Sequence, residues 1–324
     1  MKYVISFLHK NNYMFKIKTL VNITFLMFST IHYAQYTDQI NSNRPGETMS
    51  AFAVGKSVIQ LESGIYGIKE NHSVLNYDAN GFGIDMTLRW GMFMEKLELI
   101  ADLQYQYEFF NPAIVFPEKS AFKQTIIGAK YLIYDPFKNY EKKVNLYSWK
   151  ANHSFNWHQF IPAVSIFAGA NVTSAKNPYY FSPEAAISPK IIIIAQNHLG
   201  DGSWVFVTNI IADYIATDFP SYGYGITLTK GINKNWSGFI ENQGYMSDFY
   251  SDAIVRGGAA YLLNDDMQID ASISTSLKST PSILYGGIGF SWRYDAGYKE
   301  VKMKVNTGDA DKKAQKKAKK TKKG

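Results

Sequence analysis

Phe82-Gly83-Ile84-Asp85-Met86-Thr87-Leu88-Arg89-Trp90 sets a large apolar residue at every second position. Successive side chains of an extended chain point to opposite faces, so Phe82, Ile84, Met86, Leu88 and Trp90 share one face and Asp85, Thr87 and Arg89 the other. The pattern recurs. Leu97, Leu99, Ala101, Leu103 and Tyr105 oppose Glu98, Asp102, Gln104 and Gln106, and near the C-terminus Ile269, Ala271, Ile273, Thr275 and Leu277 oppose Gln268, Asp270, Ser272, Ser274 and Ser276. Alternation alone suits a soluble sandwich, a lipocalin-like barrel or a membrane barrel. Length separates them: the segments run about 10 to 13 residues, enough to cross a bilayer at a tilt and longer than the five or six usual in soluble sheets.

Twelve such segments can be read, beginning near residues 57, 81, 97, 121, 160, 186, 203, 221, 234, 253, 267 and 282. Short joins at 94–96, 199–202, 233–235 and 264–266 interleave with longer ones at 69–80, 109–120 and 173–183. Short turns on one side and long loops on the other is the outer-membrane barrel arrangement, with both termini on the periplasmic side. Residues 135–159 break that rule, being long where a short turn belongs. They can be a periplasmic excursion, an inward plug or an additional strand pair. Aromatics near segment ends, among them Trp90, Trp204, Trp236 and Trp292, suit the two membrane interfaces. The expected fold is an all-β antiparallel transmembrane β-barrel of about 12 strands, with 14 as the alternative.

The charge of the chain is segregated. Over 324 residues, 34 Lys and Arg face 27 Asp and Glu, for a net +7. Residues 1–34 hold Lys2, Lys10, Lys16 and Lys18 with no acid, and residues 299–324 hold eleven lysines against Glu300, Asp309 and Asp311. The stretch between is acidic, which argues against nucleic acid as a partner. With no cysteine, disulfides, cysteine-ligated zinc, iron–sulfur clusters, thiol catalysis and a lipoprotein anchor are all excluded. The charged start, the apolar run from Leu20 through Ile31 and Ala34 follow the order of a secretory signal peptide, with Met1 or Met14 as the true start. No later segment approaches 18 apolar residues, so no membrane helix is expected. The organisation read from the chain is a signal peptide over 1–34, a periplasmic N-terminal segment over 35–56, the barrel over 57–295 and a lysine-rich periplasmic tail over 296–324.

Particular strings then become recognisable. Asn43-Arg-Pro-Gly-Glu47 followed by Val54-Gly-Lys-Ser-Val-Ile-Gln60-Leu-Glu62-Ser-Gly64 resembles the start of a bacterial family named after the meta-cleavage pathway of phenol degradation. That start typically reads Asp-Arg-Pro, and this chain has Asn43 in place of the acid. Gly238-Phe-Ile-Glu241, Gly257-Gly-Ala-Ala-Tyr261, Met267-Gln-Ile-Asp270 and Gly287-Ile-Gly-Phe-Ser-Trp-Arg293 resemble its C-terminal half. The resemblance covers about residues 43–294. It implies a barrel in the outer membrane that transports small, hydrophobic or aromatic solutes.

Alternation directs Glu62, Asp85, Arg89, Glu98, Asp102, Lys130, Asp213, Glu241, Arg256, Asp270 and Arg293 into the lumen. Buried charges require partners, so these eleven suit a salt-bridged interior, a polar constriction for a solute, or both. His153 beside Ser154 is the one pair resembling a nucleophile with a base. On a strand the two would face opposite ways, so an embedded hydrolase is not expected. No phosphate-binding glycine loop and no metal-ligand spacing occur, and no catalytic, cofactor or metal site is assigned. The function expected is an outer-membrane channel with lipid and a small solute as partners. The alternative is a non-transporting structural or interaction barrel whose cationic tail binds peptidoglycan or another anionic envelope component. If Ala34 is the cleavage position, mass spectrometry of the envelope form will find the chain starting at Gln35; a chain still carrying residues 20–31 would refute the signal.

Overall fold

Runs rich in β-branched and aromatic residues, interrupted by glycine, asparagine and aspartate, favour strands over helices. The computed structural model describes residues 39–295 except 113–116, 139, 141–146, 149–156, 175, 181–185, 201 and 249. The strands are β1 (Val58–His72), β2 (Tyr77–Gly91), β3 (Leu97–Asn111), β4 (Glu118–Tyr134), β5 (Ala163–Val172), β6 (Ile187–Leu199), β7 (Trp204–Asp213), β8 (Ser221–Gly231), β9 (Trp236–Met246), β10 (Ser251–Asn264), β11 (Met267–Ser276) and β12 (Ser282–Asp295). Each is antiparallel to its sequence neighbours. The sheet closes where β12 returns to β1, from Val58 opposite Asp295 to Asn71 opposite Ser282.

Closure gives every strand a partner on both sides, the condition for spanning a bilayer with strands. Where the start of β4 outruns β5, the Asn177 amide and the Tyr180 hydroxyl donate to the Phe122 and Lys123 carbonyls. The side chains are distributed inside out relative to a soluble barrel. Along β2, Phe82, Ile84, Met86, Leu88 and Trp90 are exposed, Ile84 by 48%, whereas Arg89 is 0% exposed. Rings collect at both rims of this outer face: Trp90, Tyr131, Trp204, Trp236 and Trp292 at the end holding the termini, and Tyr105, Phe109, Phe122, Tyr222 and Tyr224 at the other. Trp236 packs on Tyr261 with ring centroids 4.9 Å apart, and Tyr105 on Phe122 at 5.5 Å.

Several expectations are adjusted. β4 pairs directly with β5 and the closed sheet has twelve strands, so the fourteen-strand alternative falls. The connections anticipated at 69–80 and 109–120 are largely strand: β1 to β3 have 15 residues each and β4 has 17, so that only 73–76 separates β1 from β2 and only 112–117 separates β3 from β4. Polar residues there continue the backbone ladder past the apolar band, where hydropathy no longer marks it. The long connection opposite the termini is 173–186. Of residues 135–159, Phe137 packs on His198 and Phe52, Trp157 begins a short 3-10 turn that runs to Phe160, and His158 Nε2 lies 2.8 Å from the Pro136 carbonyl. The signal peptide, the lysine-rich tail, and His153 with Ser154 lie outside the described residues.

Ile84 sits midway along β2 on the outer face. Ile84→Arg should therefore cost about 2–4 kcal/mol of folding free energy in lipid vesicles, the usual penalty for a cation at the bilayer midplane. Denaturant titration in vesicles measures this, and an unchanged midpoint would contradict a lipid-facing position.

Candidate functional site

A barrel of eight strands is filled by its own inward side chains, but a wider one leaves a lumen. Here chain preceding β1 occupies it. Residues 40–54, expected on the periplasmic side, instead run inside the barrel and bond to inward side chains of all twelve strands. This corrects the reading of 35–56 as a periplasmic segment over the part that is described.

The path of the segment follows the wall in strand order. Glu47 pairs with Arg256 of β10 at 3.6 Å. The Thr48 N–H and hydroxyl reach Glu241 Oε2 of β9 at 3.0 and 2.6 Å, and Thr227 of β8 donates to Thr48 Oγ1 at 2.6 Å. Met49 exchanges two bonds with the Asn209 amide of β7, 2.7 and 2.9 Å. The Ala51 N–H donates to Gln196 of β6 at 2.9 Å, and Ser165 of β5 donates to the Ala51 carbonyl. Lys130 of β4 donates to the Ser50 and Phe52 carbonyls at 2.7 and 3.0 Å. The Val54 N–H reaches Glu98 of β3 at 2.8 Å. The remaining strands hold the front of the segment: Glu62 of β1 accepts from the Asn43 N–H at 3.1 Å, Arg89 of β2 donates to the Asn41 carbonyl at 2.7 Å, and Ser291 of β12 meets Ser42 at 2.8 Å.

Arg44 lies across the lumen. It pairs with Asp85 of β2 on one side and with Asp270 of β11, at 3.3 Å, on the other. Gly64 and Gly289 face each other across the β1–β12 seam, and a Cβ on either would collide with the Arg44 guanidinium. The seam is notched to admit this one side chain.

Two kinds of interior support the segment. Under β3 to β7, Ile100, Ile126, Leu132, Phe167, Ile192, Ile194 and Val207 form an apolar cluster that buries Ala51 and packs against Met49 and Phe52. Beside it Arg89 bridges Glu62 at 3.1 Å and Glu98 at 3.1 Å, and Lys130 meets Glu98 at 2.8 Å. These four are at most 1% exposed. Two acids and two bases make a neutral knot, the condition under which buried charge is tolerable.

The other candidates scatter. Glu241 meets Arg256 at 2.6 Å, Asp213 meets Lys190 at 2.8 Å, and Arg293 meets Asp295 at 3.8 Å. Asp102 takes hydrogen bonds from Gln124 at 2.6 Å and Thr87 at 3.0 Å. Nearer the loop end, Tyr66 donates to Gln106 at 2.8 Å and Lys123 lies 5.3 Å from the Tyr285 ring centroid. Tyr179, on the 173–186 loop, donates to the Gln106 carbonyl at 3.1 Å; burial, then nearby Glu108, pushes its phenol pKa up and keeps the proton on.

Sequence reasoning missed Arg44 and Lys190. Arg44 precedes the first strand, so alternation could not place it. Lys190 adjoins Ile191-Ile-Ile-Ile194, where apolar residues occupy both faces because Ile192 and Ile194 face the apolar cluster. Asn209 and Gln196 carry no charge to draw attention, yet each satisfies a backbone group of the inner segment.

Glu98→Ala would strand Arg89 and Lys130 without their shared carboxylate. The loss expected is about 3–5 kcal/mol, the usual consequence of breaking a buried pair, read by denaturant titration in lipid; a loss below about 1 kcal/mol, the level of an exposed pair, would argue against the knot.

Residues 42–294 match the model of a family described as "Putative MetA-pathway of phenol degradation". No curated protein matches the chain significantly. Among solved structures, an outer membrane channel from Pseudomonas putida F1 is similar with a TM-score of 0.51 at 10% identity, covering 77% of this chain and 99% of that one. The NanC porin is similar with a TM-score of 0.46 at 9% identity, covering 71% and 98%.

Proposed function

The chain belongs to that MetA-pathway family, and from this premise we propose that it is an outer-membrane channel for small solutes whose lumen is closed at rest by its own residues 40–54. The family description names phenol degradation, which supports small aromatic compounds as the solute class. Lipid and solute are its partners on this reading. An anionic envelope partner for residues 296–324 has only their lysines behind it.

One observation carries the proposal. Among the described residues, the inner segment makes a single backbone–backbone bond to the rest of the barrel before Gly55, from the Ile40 N–H to the Asp265 carbonyl at 2.7 Å. All its other bonds to the wall run through side chains. A segment hydrogen-bonded as a thirteenth strand could not leave without opening the sheet. One held by carboxylates, amides and hydroxyls can exchange them for water while the strand ladder stays intact. The inward charges, including Glu62, Asp85, Glu241 and Asp270, are on this reading the docking groups of a movable plug. With the segment withdrawn they line a polar passage.

Deleting residues 40–54 should raise single-channel conductance in planar bilayers severalfold over the full chain, and Arg44→Ala should raise it less. Heat-modifiable migration on gels verifies that each variant is folded. A folded deletion variant that conducts no better than the full chain would overturn the plug.

A further inference from the structure

The inner segment does not fill the lumen evenly. The ion-paired knot and the apolar cluster take up the β1 to β7 sector, while the opposite sector holds a cavity of about 650 Å3 at the termini end. Its roof is the turn through Asn43, Arg44 and Pro45, and its wall is made by inward residues of β6 to β11. That volume is within the range of small-molecule sites, roughly 300–1,000 Å3.

The lining specifies what would fit. Val205, Val207, Phe239 and Ala260 supply an apolar wall, and Thr229, Ser237 and Gln268 add dipoles along one side. At the edge stands an aromatic corner. Phe52 meets the His198 ring edge-on at 5.7 Å, Phe137 meets the same ring at 5.2 Å, and Gln196 holds His198 through a 3.0 Å contact between Nε2 atoms. A further ring can pack against such a corner edge to face or offset.

Charge is the decisive feature. Arg44 and Glu241 are the two formally charged residues of the lining among those described, and both are already satisfied. Arg44 is taken by Asp85 and Asp270, and Glu241 by Arg256 and by the Thr48 N–H and hydroxyl. An ion entering the cavity would lose hydration without gaining a counter-charge, whereas a neutral ring with one hydroxyl would bury apolar area and find a dipole. We propose that this chamber is a binding site for one neutral aromatic solute with a single hydrogen-bonding substituent, held on the termini side of the inner segment. As a binding site it stands apart from the channel reading; only its place on a solute's route rests on that reading.

Binding and flux are therefore measured separately. The full chain in lipid nanodiscs is equilibrated by dialysis against radiolabelled p-cresol or benzoate, with empty nanodiscs subtracted. Saturable p-cresol binding at one per chain is expected, with benzoate binding at least tenfold weaker. Thr229→Trp and Ala260→Trp, which fill the cavity from two strands, should each weaken p-cresol binding at least tenfold while heat-modifiable migration is retained. Absence of saturable p-cresol binding, equal binding of benzoate, or undiminished binding in both folded variants would overturn the site. Intact p-cresol binding in a protein that passes no solute in vesicle uptake supports the chamber and refutes the channel reading alone.

Discussion

Twelve strands in lipid must close, and a closed ring of twelve is too wide for its inward side chains to meet in the middle. Every other feature of this molecule answers that constraint. The outer face is given to Ile, Phe, Leu and Trp because lipid requires it, so the polar residues of each strand point inward. Left to water they would line an open pore. The chain instead supplies peptide from its own N-terminal side, whose N–H and C=O groups take up those inward carboxylates, amides and hydroxyls.

The interior is thus a hybrid of core and interface. Part is a conventional apolar cluster around Phe167 and Ile194, and it anchors Met49, Ala51 and Phe52 as a core would. Part is an electrostatic socket in which Glu62, Glu98 and Glu241 each accept from backbone N–H groups of the segment and from an Arg or Lys of the wall. The first kind of contact fixes position, and the second can be exchanged for water, as the proposed plug requires.

The barrel was legible in the sequence because alternation is a local property: Phe82 to Trp90 states the face of each residue without reference to any other strand. Strand ends were less legible where β1 to β4 run on with polar residues on both faces. The lumen charges could be placed by parity, whereas their pairing could not, since Arg89 selects Glu62 and Glu98 from two other strands through the barrel's register. The inner segment was hidden for a different reason. Residues 40–54 have no periodicity and low charge, and only the three-dimensional closure turns their backbone groups into the complement of twelve inward faces. The Asn43-Arg-Pro-Gly-Glu47 string was singled out by resemblance, but its physical role depends on Asp85, Asp270, Gly64 and Gly289, which lie on β2, β11, β1 and β12.

The notch for Arg44 is made half by Gly64 on the first strand and half by Gly289 on the last. It does not exist until those strands meet, and Asp85 and Asp270, which receive the guanidinium, are likewise brought face to face by that same event. The inner segment precedes β1 in the chain and is joined to it through Gly55 to Ser57. The seat for the segment is therefore complete only once the seam has shut: the pairing that finishes the membrane-spanning ring is also the one that makes the notch for Arg44.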